Sequence, residues 1–461
     1  MWGSATQATH RREGEAGHNV LTERKMRDAQ KSQIISADLR QIAEQAKQEP
    51  AMVFTSLAHL MDSDFLTEAY HQVRKDGAAG LSGVTSKDYK RNLTDNLADL
   101  HQRLKNQTYV APKIKRVWID KDGGKKRPIG ITEFEDKIVQ KAVAMLLGAV
   151  YEQDFYDFSH GFREGHSAHQ ALYDIRSQCM GSNIKWLIDA DISGFFDNID
   201  RAKLIEIIKL RVNDGGLIRL IGKWLNAGVV DGEILSYSDK GTPQGGVISP
   251  VLANIYLNHV LDEWFTNEVK PRMQGHCFIV RFADDFIIGC QQEDDAKRIM
   301  QVIPKRFEKF GLAIHPEKTK MIPFGKPASN KEVSKGEATF DFLGFTHYWA
   351  RSRKGYWVIK RKTAKKKVRK SIVAMWDWCR INRHKPLKWQ HQMLSSKLRG
   401  HFQYFGVRCN MRSMQAVLHF AIRGWRYWLS RRSQKSAISW DEFSKLLEQI
   451  PLPTPKVVHN V

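Results

Sequence analysis

Residues 276–290 read HCFIVRFADDFIIGC, from His276 to Cys290. Two apolar runs, CFIVRF and FIIGC, flank a tight turn that carries Asp284 and Asp285. Short β-rich runs on both sides of a turn predict an antiparallel hairpin. Strands this apolar belong in an interior, where two ionised carboxylates are costly unless cations neutralise them. A turn also lets neighbouring side chains converge, as a straight strand does not. The other adjacent pair, Asp294-Asp295, lies in polar QQEDDAKR. It reads as a solvated helix start, where acids favour the helix dipole.

A second apolar strand, KWLIDADI (Lys185 to Ile192), carries Asp191 near its end. Asp189, two residues earlier, points to the same face and competes with it; Asp197 is a further candidate. Three carboxylates on neighbouring strand ends suit hard divalent cations, and Mg²⁺ takes oxygen ligands in octahedral geometry. Two such ions ~3.5–4 Å apart can activate a hydroxyl and stabilise a departing pyrophosphate in an in-line displacement. The competing reading is a surface turn with helix-capping acids.

Outward from this centre, YVAPKIKRVWIDKDGGKKRPIGI alternates around Asp122-Gly123-Gly124 and predicts a second hairpin. Helical patterns fill Asp136 to Val150, RAKLIEIIKLRV, VISPVLANIYLNHVLDEWF and DDAKRIMQVIPKRFEKFG, and TFDFLGFTHYW reads as a late strand pair. Strands alternating with helices in this order predict an α+β, palm-like sheet. The pattern is helical from Pro50 to about Leu104 and again after Arg351. Residues up to about Gln48 are polar and weakly patterned, and GKPASNKEVSKGE reads as an exposed loop.

At 461 residues the chain has room for two to four domains. Its formal charge is +23, and the segment Arg351 to Ser436 holds 24 Lys or Arg against one acid, Asp377, so the whole excess lies there. The same segment carries Trp357, Trp376, Trp378, Trp389, Trp425 and Trp428. Cations interleaved with flat rings suit a phosphate backbone and unstacked bases. A helical domain with a solvated basic face is the plainer reading, but such a face normally mixes signs. RKTAKKKVRK (Arg361 to Lys370) holds seven cations and no acid.

No run reads as a membrane span: the longest uncharged stretch, Gly241 to Leu261, contains Pro243 and Pro250. Five cysteines with no CxxC spacing argue against a disulfide framework and a zinc site. With no apolar signal core at the amino terminus, the expected location is cytoplasmic, with no membrane partner.

The ordered set KKRPIGI, LIDADISGFFDNID, GTPQGGVISPVLANIYLN, RFADDFIIG, GLAIHPEKTK and FDFLGF closely resembles a group II intron-encoded reverse transcriptase. LRGHFQYFGVRCNMRS, WRYWLSRRSQ and PLPTPKVVH resemble the thumb and maturase region of that family. The resemblance implies an α+β right-hand polymerase of fingers and palm, followed by an α-helical thumb/maturase domain. The boundaries it suggests are an extension at 1–50, fingers and palm at 51–348, basic thumb/maturase helices at 349–436, and a tail at 437–461 with no endonuclease domain. The implied activity is RNA-directed DNA synthesis with two Mg²⁺ ions, on an RNA template with a DNA primer and dNTPs. The implied second role is binding of intron RNA as a maturase that assists splicing and supports retrohoming.

On this resemblance Asp191, Asp284 and Asp285 are the catalytic metal ligands, joined by the backbone carbonyl of Ile192. Phe196 stands where a ring walls off a ribose 2′-hydroxyl, although it and Phe195 could both be core. Gln244 and Gly245 lie against template and incoming nucleotide, while Lys121 and Arg127 reach the triphosphate. Lys318 donates a proton to the departing pyrophosphate, with Lys320 a rival. Phe342, Leu343, Gly344 and Phe345 form the primer grip. RNA is met by Arg361, Lys362, Lys365, Lys366, Lys367, Arg369, Lys370, Arg399, Arg408 and Arg412. One departure is Phe282, which precedes the Ala-Asp-Asp run where the family usually has Tyr. Two other readings stand beside this one: a free-standing polymerase of the same type in defence or repair, and a non-catalytic RNA-binding splicing factor.

Overall fold

The computed structural model describes residues 31–120, 126–237, 240–242, 245–328, 338–433 and 437–460. Its strands, in chain order, are β1 (Ile114–Asp120), β2 (Lys126–Ile131), β3 (Trp186–Ala190), β4 (Val229–Asp231), β5 (Ile234–Ser236), β6 (Cys277–Phe282), β7 (Asp285–Cys290), β8 (Lys320–Pro323), β9 (Phe340–Phe342), β10 (Phe345–Arg351) and β11 (Trp357–Thr363). They alternate with helices in an α+β arrangement. The chain divides into two compact units: Met1–Asp157 with Ile192–Thr266 and Pro304–Ile314, and Phe158–Asp191 with Asn267–Ile303 and His315–Val461.

In the first unit, the alternating run expected to form a hairpin does so. β1 and β2 pair antiparallel with Ile119 opposite Arg127, in a sheet of order β2-β1-β4-β5. The helix Phe134–Tyr151 buries Ile138, Val139, Leu146 and Leu147 completely. Each such side chain contributes about 1.5–3 kcal/mol by leaving water. Asp136 is buried on the same helix, where Trp224 Nε1 (2.7 Å), Gln140 Nε2 (2.8 Å) and the Tyr109 hydroxyl donate to it. Burial pushes its carboxyl up to about 6 against the pull of those hydrogen bonds.

The second unit holds an antiparallel sheet of order β6-β7-β3-β8. Leu187, Phe278, Val280 and Ile287 of that sheet share a core with Ala171, Leu172 and Ile175 of the helix Ala168–Gly181. The same core runs on into Phe345, Trp349, Trp357 and Ile359 of the sheet β11-β10-β9. A separate core, built around Leu394, Leu398, Met414, Trp425 and Phe443, joins the helices Lys365–Ile381, Leu387–Phe405, Met411–Leu429 and Trp440–Gln449.

The structure corrects two readings of the sequence. The segment after Arg351 is not helical at once: β11 pairs with β10 from Phe345↔Thr363 to Arg351↔Trp357, and the helices begin at Lys365. The period of two was hidden because one inward residue, Arg361, is charged. The strand β10 spans residue 348 and is paired with β11 along its length. Asp295 is not solvated but fully buried, accepting from Gln274 N (3.1 Å) and Gly275 N (2.8 Å). Its neighbour Asp294 is exposed. The expected tail holds the helix Trp440–Gln449, started by a capping box between Ser439 and Glu442 and anchored by buried Phe443.

Candidate active site

In the second unit, β6 and β7 close around Ala283 and Asp284 with Phe282 opposite Asp285. Ala283 takes a left-handed backbone, φ +57°. That conformation is unfavourable for a residue with a Cβ and is held from below. Arg281, fully buried in the middle of an apolar strand, donates from its guanidinium to the Ala283 carbonyl at 3.1 Å. Its own backbone is bracketed by Phe158 O, which accepts from Arg281 N, and His160 N, which donates to Arg281 O, both at 2.9 Å. An arginine inside CFIVRF was the signal the sequence offered for this support and that sequence reasoning passed over.

β3 lies beside β7, with Ala190 opposite Phe286, so Asp189 and Asp191 emerge near the same strand ends. The main chain fixes Asp191: His315 N donates to its carbonyl at 2.8 Å, and its own N–H reaches Thr319 Oγ1 at 3.4 Å. The Lys318 ammonium donates to Asp191 Oδ2. Asp189 is pushed up to about 7, first by burial and then by the charges of Asp285, Asp191 and Asp341, with Lys320 opposing. These acids therefore share one field of negative potential. Asp341, between two buried phenylalanines of FDF, was not foreseen.

Among the described residues, no three His, Cys, Asp or Glu side chains are gathered closely enough to hold an ion by themselves. The donor chemistry nonetheless fits a hard divalent cation: the ligands on offer are carboxylates, and their pooled charge is what such an ion offsets. The rival Asp197 answers to other neighbours. Burial raises its carboxyl, while Arg116 and Arg127 pull it down.

The first unit carries the residues expected to meet a nucleotide. Phe196 is 8% exposed, set edge-on to Phe195 in the short helix Phe195–Asn198, and its carbonyl accepts from Thr242 N at 2.8 Å. Arg127 is exposed on β2. Gly245 (φ +112°) packs on β2, where a Cβ would press Ile129 Cγ2 at 3.1 Å and the Gly130 carbonyl more closely, so only glycine fits. Lys121 and Gln244 lie outside the described residues.

Returning to the second unit, Leu343 (φ +49°) and Gly344 (φ +82°) turn the chain between β9 and β10. Tyr404 Oη donates to Leu343 O at 2.8 Å and Ala364 N to Gly344 O at 2.9 Å, while Phe342 and Phe345 are buried. Lys362, Lys365, Lys366, Lys367, Arg369, Lys370, Arg399, Arg408 and Arg412 are exposed. Arg361 is not. It is 2% exposed, donates to Leu172 O at 3.1 Å, and burial lowers its guanidinium to about 10. It is a structural arginine of the core and leaves the expected RNA face. No described helix is long and apolar enough to cross a membrane.

Residues 119–347 match the family described as reverse transcriptase (RNA-dependent DNA polymerase). The chain is 37% identical over 230 residues to "Group II intron-encoded protein LtrA" of Lactococcus lactis subsp. cremoris, covering 50% of this chain and 38% of that protein. It thus spans well under half of that relative's length. It is 30% identical over 287 residues to "Protein YkfC" of Escherichia coli (strain K12), covering 55% of this chain and 75% of that protein. To "Nuclear intron maturase 2, mitochondrial" of Arabidopsis thaliana it is 27% identical over 179 residues, 30% of this chain and 24% of that one. With the hairpin, the strand-end acids and the ordered motifs, these matches mean that the chain belongs to the reverse transcriptase family, in its group II intron-encoded reverse transcriptase/maturase branch.

Proposed function

We propose that this chain copies RNA into DNA with two Mg²⁺ ions and binds intron RNA as a maturase that assists splicing and supports retrohoming. The observation that carries the reading is the shared negative field at Asp189, to which Asp285 and Asp191 both contribute. A protein that only bound RNA would gain nothing from acids pooled beside a polyanion.

In this reading the β1–β2 hairpin belongs to the fingers, β3, β6, β7 and β8 to the palm, and the helices from Lys365 onward to the thumb/maturase domain. Asp191, Asp284, Asp285 and the Ile192 carbonyl would hold the ions, which when bound would supply activation of the primer hydroxyl and charge neutralisation at the pyrophosphate. Lys318 hands a proton to that leaving group. Phe196 excludes a ribose 2′-hydroxyl, while Lys121 and Arg127 grip the triphosphate of a dNTP. Gln244 and Gly245 lie against the nascent base pair. The Phe342–Phe345 turn holds the DNA primer, and the exposed cations from Lys362 to Arg412 track the RNA backbone.

The test is extension of a DNA primer on an RNA template by the purified chain, with Mg²⁺ and with chelator, beside an Asp284→Asn variant. Synthesis that needs Mg²⁺ and disappears in the variant, with RNA affinity retained, supports the reading. Synthesis by the variant at the parent rate removes the metal assignment.

A further inference from the structure

The first unit has a second feature that none of the roles above uses. A cavity of about 410 Å³ opens between the segment Ala58–Met61, the end of the helix Leu93–Lys105 and one face of the helix Gly215–Leu225. His59, His101, Lys105, Arg219 and Lys223 line it, and no acid does. Among the described residues, the side chains of Lys105 and Arg219 make no hydrogen bond or ion pair. Lys223 donates to the carbonyl of Tyr109, so its charge meets no carboxylate. Asp214, at the start of the helix Gly215–Leu225, is already engaged by Leu57 N, Ala58 N, Gly216 N and Leu217 N. Three permanent cations therefore converge on one cleft without an internal counterion, an arrangement whose self-repulsion an anionic ligand offsets.

The rest of the lining is of a different kind. Met61, Leu104, Tyr109 and Leu220 also line the cavity. A site of this volume, lined by apolar residues and a few polar groups, is of the size that takes a small organic ligand. Arginine and lysine in the lining favour phosphate, and the apolar and aromatic residues beside them favour a base. We infer that this cleft binds a phosphate-bearing nucleotide unit, either a free mononucleotide or one residue of an RNA strand.

The probes are GMP, guanosine and a five-residue oligoadenylate, each added to the full-length chain in the presence of EDTA. Binding is read locally, as protection from hydrogen exchange in peptides spanning Leu93–Lys105 and Gly215–Leu225. Protection by GMP or by the oligonucleotide but not by guanosine supports the inference; the probe that acts at the lower concentration identifies the source of the phosphate. The Lys105→Ala/Arg219→Ala variant removes two exposed cations and should melt at the parent temperature. It should require at least tenfold more of the active probe for the same protection. Equal protection by guanosine and GMP, no protection by any probe, or unchanged protection in the variant overturns the inference.

Discussion

Gly161 and Ala283 touch backbone to backbone: a methyl group on Gly161 would sit 2.9 Å from Ala283 Cα and closer still to its amide nitrogen. The loop carrying Gly161 thus rests directly on the left-handed residue that precedes Asp284. Gly161→Ala must displace that turn, because the group it strikes is main chain rather than a flexible side chain tip. A shift of about 1 Å in a reacting group can cost on the order of 10²-fold in rate. The expected outcome is single-turnover primer extension slowed to that degree, with RNA affinity unchanged. An unaltered rate would show that the turn tolerates the push.

His347 is fully buried, stacked on Phe340 at 4.6 Å and 11°, with neither ring nitrogen hydrogen-bonded. Burial, aided by the charge of Arg361, lowers its pKa to about 3. The folded state keeps the ring neutral, whereas the unfolded chain takes up a proton below about 6.5. Stability from this residue is therefore intact above about pH 6.5 and is lost progressively as pH falls from there toward 3. His347→Phe keeps the stack and removes two unsatisfied nitrogens. It should gain about 1 kcal/mol at pH 7 and flatten the acid limb, as read by urea unfolding between pH 4.5 and 7.5. A limb as steep as the parent's would assign the acid sensitivity to other groups.

The hairpins, the Phe134–Tyr151 helix and the strand-end acids were legible because their apolar runs are short, clean and bounded by turn residues. What escaped was polar and interior. Arg281, Arg361 and Asp295 each sit in the core, and each depends on backbone partners contributed by distant stretches: Phe158 and His160, Leu172, and Gln274 and Gly275. Charge alone suggested solvent for Asp295 and RNA for Arg361. Arg361 also broke the apolar alternation of WVIKRKT and concealed β11. No local pattern encodes a partner 189 residues away, as Leu172 is for Arg361.

The two kinds of cation in RKTAKKKVRK should separate experimentally. Replacing Lys365, Lys366 and Lys367 with alanine removes exposed charges from the first turn of the helix Lys365–Ile381. RNA binding should weaken, and the log–log salt slope should fall by about 0.7–0.9 per lost phosphate contact. Arg361→Met removes a buried guanidinium instead. It should lower the melting temperature while leaving the salt slope of the folded protein where it was. Filter binding across a salt series, with a parallel thermal melt, distinguishes them; a changed slope in Arg361→Met would return that residue to the RNA face.

Tyr404 offers a finer probe of the FLGF turn. Its hydroxyl donates to Leu343 O at 2.8 Å, and Leu343 is one of the non-glycine residues with positive φ. The turn is thus held in an unfavourable conformation by a hydrogen bond from the helix Leu387–Phe405, at a cost the bond helps to offset. Tyr404→Phe removes the donor alone and should cost about 1 kcal/mol. If the turn grips the primer, that loss appears as a roughly fivefold higher KM for primer–template, at the ~1.4 kcal/mol per tenfold exchange rate, with kcat nearly unchanged. A lower melting temperature with an unaltered KM would make the turn a packing element only, and would place the primer contact elsewhere.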